Sequence, residues 1–228
     1  DFRVSLLTNP VTGDTMQSGL LDTTIDGNDL EGVLAFVDDS TLDFNMVGGS
    51  VSNNGAVGTA GDLADSFDNV RVEATNGSDV EVQFVQTVAD GATRSGFNFT
   101  ALDSMFLAQL RAGVSAQNNT GGNGVRFVAD GATTQAVLFM DEMSADGPLT
   151  TAGALTGTNN FSGNGTDVFV TAGGPDGDLP MTGAGVFFQA TNVDWAGVRL
   201  SGMADNNGNP ADVPVANRDI DGDGDGDD

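Results

Sequence analysis

The residues best suited to chemistry in this chain are carboxylates, and they concentrate at one end. Asp219, Asp221, Asp223, Asp225 and Asp227 alternate with Ile220, Gly222, Gly224 and Gly226, and Asp228 closes the run. Carboxylates separated by glycines offer the all-oxygen environment that a hard cation such as Ca²⁺ prefers. Set against an EF-hand-type calcium loop, Asp219, Asp221 and Asp223 take ligand positions one, three and five. Gly224 falls at position six and Asp227 at position nine. No bidentate Glu follows, and Pro210 and Pro214 upstream do not suit a flanking helix. The tail therefore reads as half a calcium site, to be completed by another loop or another subunit. A solvated polyanionic tail is the alternative.

Other acidic stretches are weaker candidates. Asp22, Asp26, Asn28, Asp29 and Glu31 fall close together, Asp176 and Asp178 flank Gly177, and Asp205, Asn207, Asn209 and Asp212 space like oxygen ligands. Each pattern also suits an ordinary turn. Catalysis finds little support. The chain has no Cys, His, Tyr or Lys, and all seven basic residues are Arg. That composition lacks the common general base, the thiol nucleophile, the Schiff-base amine and the usual zinc ligands. A carboxylate pair can hydrolyse a glycoside, but 33 acids guarantee chance pairs. The single Trp, Trp195, alternates with Val193 and reads as core rather than as a sugar platform.

Formal net charge is −26, and without the six tail aspartates it is still −20. Such a surface repels nucleic acid and anionic lipid. Of the acids, 29 are Asp and four are Glu. Asp favours turns and caps, so the acidity is expected in loops and at strand edges; adaptation to high salt is a second explanation. No apolar run is long enough to cross a membrane. The start at Asp1 is expected to reflect processing, which with the composition suggests a secreted protein.

Short alternating segments recur between Gly/Asn/Asp-rich clusters. They include 33–37, 41–47, 70–74, 80–84, 124–128, 135–140, 167–171, 185–190 and 193–200. Period-two alternation implies strands with one buried face. The expected fold is all-β, a jelly roll or β-sandwich of about ten or more short strands with long loops and at most one or two short helices. Leu102, Met105, Phe106 and Leu110 fall at helical spacing, so 100–112 is read as the one helix, with a strand as the alternative. Val88–Thr93 recurs identically as Val128–Thr133. Its Asp-Gly pair is read as a type I′ hairpin turn, marking equivalent hairpins in two halves of one sandwich; two copies do not suggest a solenoid. Residues 1–218 are taken as one domain, with 1–10 a candidate donor strand and 219–228 an acidic tail. Asn-X-Ser/Thr sequons begin at Asn76, Asn98, Asn118, Asn160 and Asn164, a slight excess over chance.

Asp14 to Asn28, with Ser18-Gly-Leu-Leu-Asp22 at its centre, resembles the start of mature TasA/camelysin-type matrix proteins. That resemblance implies a jelly roll that forms extracellular fibres by donating an N-terminal strand to its neighbour. Residues 183–199 are similar in texture to calcium-dependent bacterial adhesin domains.

The leading expectation is a non-catalytic secreted subunit that polymerises into an extracellular filament or surface layer, as in a biofilm matrix. Phe2, Val4 and Leu6 would form the donated strand, and calcium would cross-link acidic surfaces. The alternative is a monomeric calcium-dependent adhesin or carbohydrate-binding module that recognises surface glycans. An acidic hydrolase is a third reading.

Overall fold

The computed structural model describes residues 7–8, 15–16, 19–55, 67–119, 121–131, 133–141, 143–144, 155–156, 159–172, 185–190 and 198–201. The early strands are β1 (Leu7–Thr8), β2 (Thr15–Met16), β3 (Gly19–Leu21), β4 (Val33–Asp38), β5 (Thr41–Val47) and β6 (Val70–Thr75). The middle of the chain forms β7 (Asp79–Val85), β8 (Phe97–Leu102), β9 (Met105–Arg111), β10 (Asn123–Asp130) and β11 (Gln135–Asp141). The remainder are β12 (Met143–Ser144), β13 (Leu155–Thr156), β14 (Thr166–Ala172), β15 (Gly185–Ala190) and β16 (Val198–Ser201).

Two six-stranded sheets contain most of them. Sheet I runs β4-β6-β8-β10-β14-β16 and sheet II runs β3-β5-β7-β9-β11-β15. Every pairing inside both sheets is parallel. Successive long strands alternate between the sheets, so the chain coils, and each turn lays one strand on each sheet. A third line of parallel bridges, Thr24–Ser50–Val88–Ser115–Asn160, closes the third side. The architecture is a parallel β-solenoid, in which each rung packs on its neighbours.

This corrects the jelly-roll and sandwich expectation, which requires antiparallel sheets. It also corrects the helix at 100–112: Phe97–Leu102 is β8 and Met105–Arg111 is β9. The apolar spacing that looked helical arises because a sharp corner at Asp103–Ser104 resets the alternation between two strands.

The corners explain the composition. Where sheet I hands over to sheet II, Asp39, Asn76, Asp103 and Gly131 all have positive φ, from 45° to 92°. After sheet II, Asp22, Gly48, Gln86 and Ala112 do the same, from 47° to 69°. After the bridge line the series is Gly27, Asn53, Gly91, Asn118 and Gly163, from 55° to 76°. Gly has no Cβ to clash in this region, and Asn and Asp tolerate it better than other residues. The Gly, Asn and Asp abundance is thus the price of turning three corners per rung.

The repeated Val-Ala-Asp-Gly-Ala-Thr segments mark no hairpins. Gly91 turns the corner after the bridge line, whereas Gly131 turns the corner after β10. The same six residues serve two different corners, because both need a glycine at positive φ.

Side chains stack with the backbone. Asn28 donates from its N–H and its Nδ2 to Asn54 Oδ1, at 2.9 and 2.8 Å. Asn54 repeats the pattern onto Asn69 Oδ1, and Asn119 onto Asn164 Oδ1. The ladder ends where Asn164 Nδ2 donates to Asp167 Oδ1. An aspartate column runs beside it: Asp26 accepts from Ser50 Oγ and the Ser52 N–H, and Asp90 from Ser115 Oγ and the Gln117 N–H. The buried amides among them, Asn54, Asn69 and Asn119, would cost about 1–3 kcal/mol each if unpaired.

Inside, Phe44, Phe84, Phe97, Phe99, Phe106 and Phe127 form a continuous file of ring contacts with centroids 4.9 to 6.3 Å apart. Phe44, Phe84 and Phe106 come from sheet II, the other three from sheet I. Alternation places these rings inward on both sheets, so one apolar core runs along the coil.

The corners give a paired test. Gly77 has φ +82 and open space where a Cβ would stand, while at Gly49, with φ +74, a Cβ would lie 2.1 Å from Thr23 O and 2.6 Å from Thr23 N. Gly77→Ala is expected to cost about 1–2 kcal/mol, the left-handed penalty alone. Gly49→Ala is expected to cost clearly more, because backbone must move as well. Urea unfolding of both variants measures the difference; equal losses would contradict the stacked-corner geometry.

Candidate functional site

The densest cluster of unusual polar groups lies where the chain enters sheet I. Asp68, two residues before β6, is fully buried. It accepts from Arg94 Nε at 2.9 Å, from Arg94 Nη2, from the Ser95 N–H at 3.0 Å and from Asn98 Nδ2 at 2.8 Å. Asn98, on β8, passes the link on, and its Oδ1 accepts from Arg126 Nη1 at 3.0 Å. The result is a relay, Arg94–Asp68–Asn98–Arg126, spanning three rungs.

The register explains the relay. Arg71, Asn98, Arg126 and Phe169 occupy one position on neighbouring strands of sheet I. Their neighbours Val70, Val72, Phe97, Phe99, Val125 and Phe127 point into the core, so this column faces outward. Arg71 is neutralised by Glu73 and Glu31 and lies over the Phe36 ring. Arg94 is neutralised by Asp68, and hydrogen bonding to that carboxylate is the main reason its pKa lies above the usual arginine value. Among the described residues Arg126 has no ion pair. Burial is the main reason its pKa lies below the usual value; the Asp68 charge opposes the shift, and the charges of Arg94 and Arg71 add to it.

A pocket of about 360 Å³ opens between these groups, lined by Arg94, Ser95, Gly121, Gly122, Asn123, Arg126, Gly165 and Thr166. The glycines are sterically required: a Cβ on Gly122 would lie 2.6 Å from Arg94 O, and one on Gly165 2.8 Å from Gly122 O. Ser95 Oγ is buried and makes no hydrogen bond.

The residues singled out from sequence lie elsewhere. Asp22 occupies a left-handed corner, Asp26 is engaged by Ser50 and Ser52, and Asn28 heads the asparagine ladder. Asp29 lies in the bend that follows. Among the described residues no three carboxylates converge on a point where a metal could sit. Asp219, Asp221, Asp223, Asp225, Asp227, Asp176, Asp178, Asp205, Asn207, Phe2, Val4, Leu6 and Trp195 lie outside the described residues. Two sequons are structural, since Asn98 is buried in the relay and Asn164, partly buried, is held in the ladder. The arginine pocket was missed because Asp68, Arg94, Asn98 and Arg126 show no local motif. The only sequence signal was their spacing of 26 to 30 residues, close to one rung.

No protein-family model, curated protein or solved structure matches the chain. Function therefore rests on the geometry.

Two outcomes follow from the charges. Arg94→Met strands the buried Asp68 carboxylate and is expected to cost about 3–5 kcal/mol in urea unfolding. Arg126→Met removes a partly buried charge that no described carboxylate contacts directly, and is expected to cost under about 1 kcal/mol or to stabilise. A separate outcome concerns Glu81, whose pKa is raised by burial first, then by the charges of Asp43 and Asp79. A raised carboxyl pKa disfavours the folded state above that pKa, and the effect fades as pH falls below the unfolded value. Glu81→Gln is thus expected to raise Tm at pH 7, with the gain vanishing near pH 4. A constant gain across a thermal-shift pH series would contradict this.

Proposed function

We propose that this chain is a non-catalytic extracellular structural subunit whose coil is extended by pairing, rung on rung, with a second copy. The observation that carries the reading is the first rung. In the described sheets β3 and β4 are hydrogen-bonded on one side only, and here Leu21, Leu30, Leu34 and Phe36 are exposed, Phe36 at 62%. A small cavity of about 110 Å³, lined by Leu20, Ile25, Val33, Leu34 and Phe44, lies at this end of the core. Open parallel edges with apolar side chains are templates for another strand. A second coil is the occupant that matches two sheet edges at once.

The net charge of −26 opposes such stacking. Assembly should therefore strengthen as salt screens the repulsion. Calcium held by the Asp219–Asp228 tail belongs to the same proposal, since the described carboxylates offer no convergent site. The absence of Cys, His, Lys and Tyr supports a role without catalysis.

Analytical ultracentrifugation and negative-stain microscopy test this. Rods are expected to lengthen with salt and with calcium and to shorten in EDTA. Replacing Leu34 and Phe36 together by Lys should leave a folded monomer whose Tm falls only slightly, through loss of the Arg71–Phe36 contact and of the Leu34 packing at the end cavity. A wild-type protein that stays monomeric at high concentration in calcium and salt would overturn the proposal.

A further inference from the structure

The arginine pocket is a feature that end-to-end stacking does not need. It sits at the entry to β8, β10 and β14, several strands along sheet I from the exposed β4 edge. Among the described residues Arg126, which is partly buried, has no ion pair and makes one side-chain hydrogen bond, through Nη1 to Asn98. Its guanidinium hydrogen-bonds to an amide rather than to a carboxylate, with Asp68 reaching it only through Asn98, so its remaining N–H groups can take an anion from outside. Ser95 is the independent second observation. It is fully buried, lines the same pocket, and its hydroxyl has no protein partner. A buried hydroxyl left without a partner is costly unless a ligand satisfies it.

We propose that this pocket binds the carboxylate of a uronate sugar within an acidic polysaccharide, a short-range contact made once salt screens the repulsion from the net charge of −26. A planar guanidinium matches a carboxylate through two parallel N–H···O bonds. The pocket's 360 Å³ lies near the lower end of the range for small-molecule sites, about 300–1,000 Å³. It therefore has room for a sugar ring beyond the carboxylate. The rest of the lining suits sugar hydroxyls: the Ser95 and Thr166 hydroxyls, the Asn123 amide, and glycine backbone that no side chain covers. Asp68 beneath the pocket does not compete, since both its oxygens already accept from Arg94, Ser95 and Asn98.

Isothermal titration of the full chain with tetragalacturonate, maltotetraose, sodium sulfate and a synthetic peptide of residues 219–228 tests the assignment. Arginine side-chain NMR signals report where each probe binds. Saturable binding of tetragalacturonate with perturbation of the Arg126 signal is expected, with maltotetraose weaker by about tenfold or more. Arg126→Gln should lower affinity by a similar factor. Ser95→Ala should lower it several-fold while leaving Tm unchanged or higher, because that hydroxyl holds nothing in the free protein. Equal binding of maltotetraose, or full affinity in Arg126→Gln, would overturn the proposal. Sulfate as the sole binder would overturn the uronate assignment, and tighter binding of the Asp-rich peptide would assign the pocket to a protein tail instead. Repeating the titration on the Leu34→Lys, Phe36→Lys variant separates this outcome from the fate of the stacking proposal.

Discussion

The constraint on which the structure depends is that each rung must present its N–H and C=O groups to the next in register, on three sides at once. Parallel strands can meet that demand only if the chain turns the same corners at the same places on every rung. The left-handed residues at those corners are therefore the scaffold's defining positions. Sheets, core and outer columns follow from them. A corner displaced by one residue would exchange the inner and outer faces of the next strand. The Asn and Asp columns serve the same end, since they saturate corner N–H groups that no strand partner can reach.

Much of the local structure was legible in the sequence. The segments 41–47 and 185–190 are strands with those same bounds, because period-two alternation is a local signal. Strand direction was not legible. Alternation reads the same whether a partner runs parallel or antiparallel, and Asp-Gly suggested hairpins because it is also a general left-handed corner. The rung period was hidden by unequal insertions. Asn98 and Arg126 are 28 residues apart, whereas Ser40 and Ser78, equivalent corner residues, are 38 apart with 56–66 between them. Corner positions also repeat in chemistry rather than identity, as Asp39, Asn76, Asp103 and Gly131 show. The identical Val-Ala-Asp-Gly-Ala-Thr copies were a decoy, since they fall at different corners.

The candidate site was less legible than the fold. Attention went to the numerous acids, yet the acids that the structure describes at those positions serve corners and ladders. The informative groups are the rare ones. Among the described residues, Arg71 and Arg94 are paired with carboxylates of their own or the preceding rung, whereas Arg126 has no ion pair. Only the stacking of residues one rung apart makes that contrast visible.

The file of phenylalanines has a consequence for how this molecule can vary in length. Because Phe84 and Phe99 each seat against rings of the rungs on both sides, the coil behaves as a stack of similar units. Excising one whole turn brings together two surfaces of the same shape and register. Excising a single residue within a strand would send a phenylalanine into water and a charge into the core. Length in such a molecule is quantised, and change by whole rungs is its mildest form of variation.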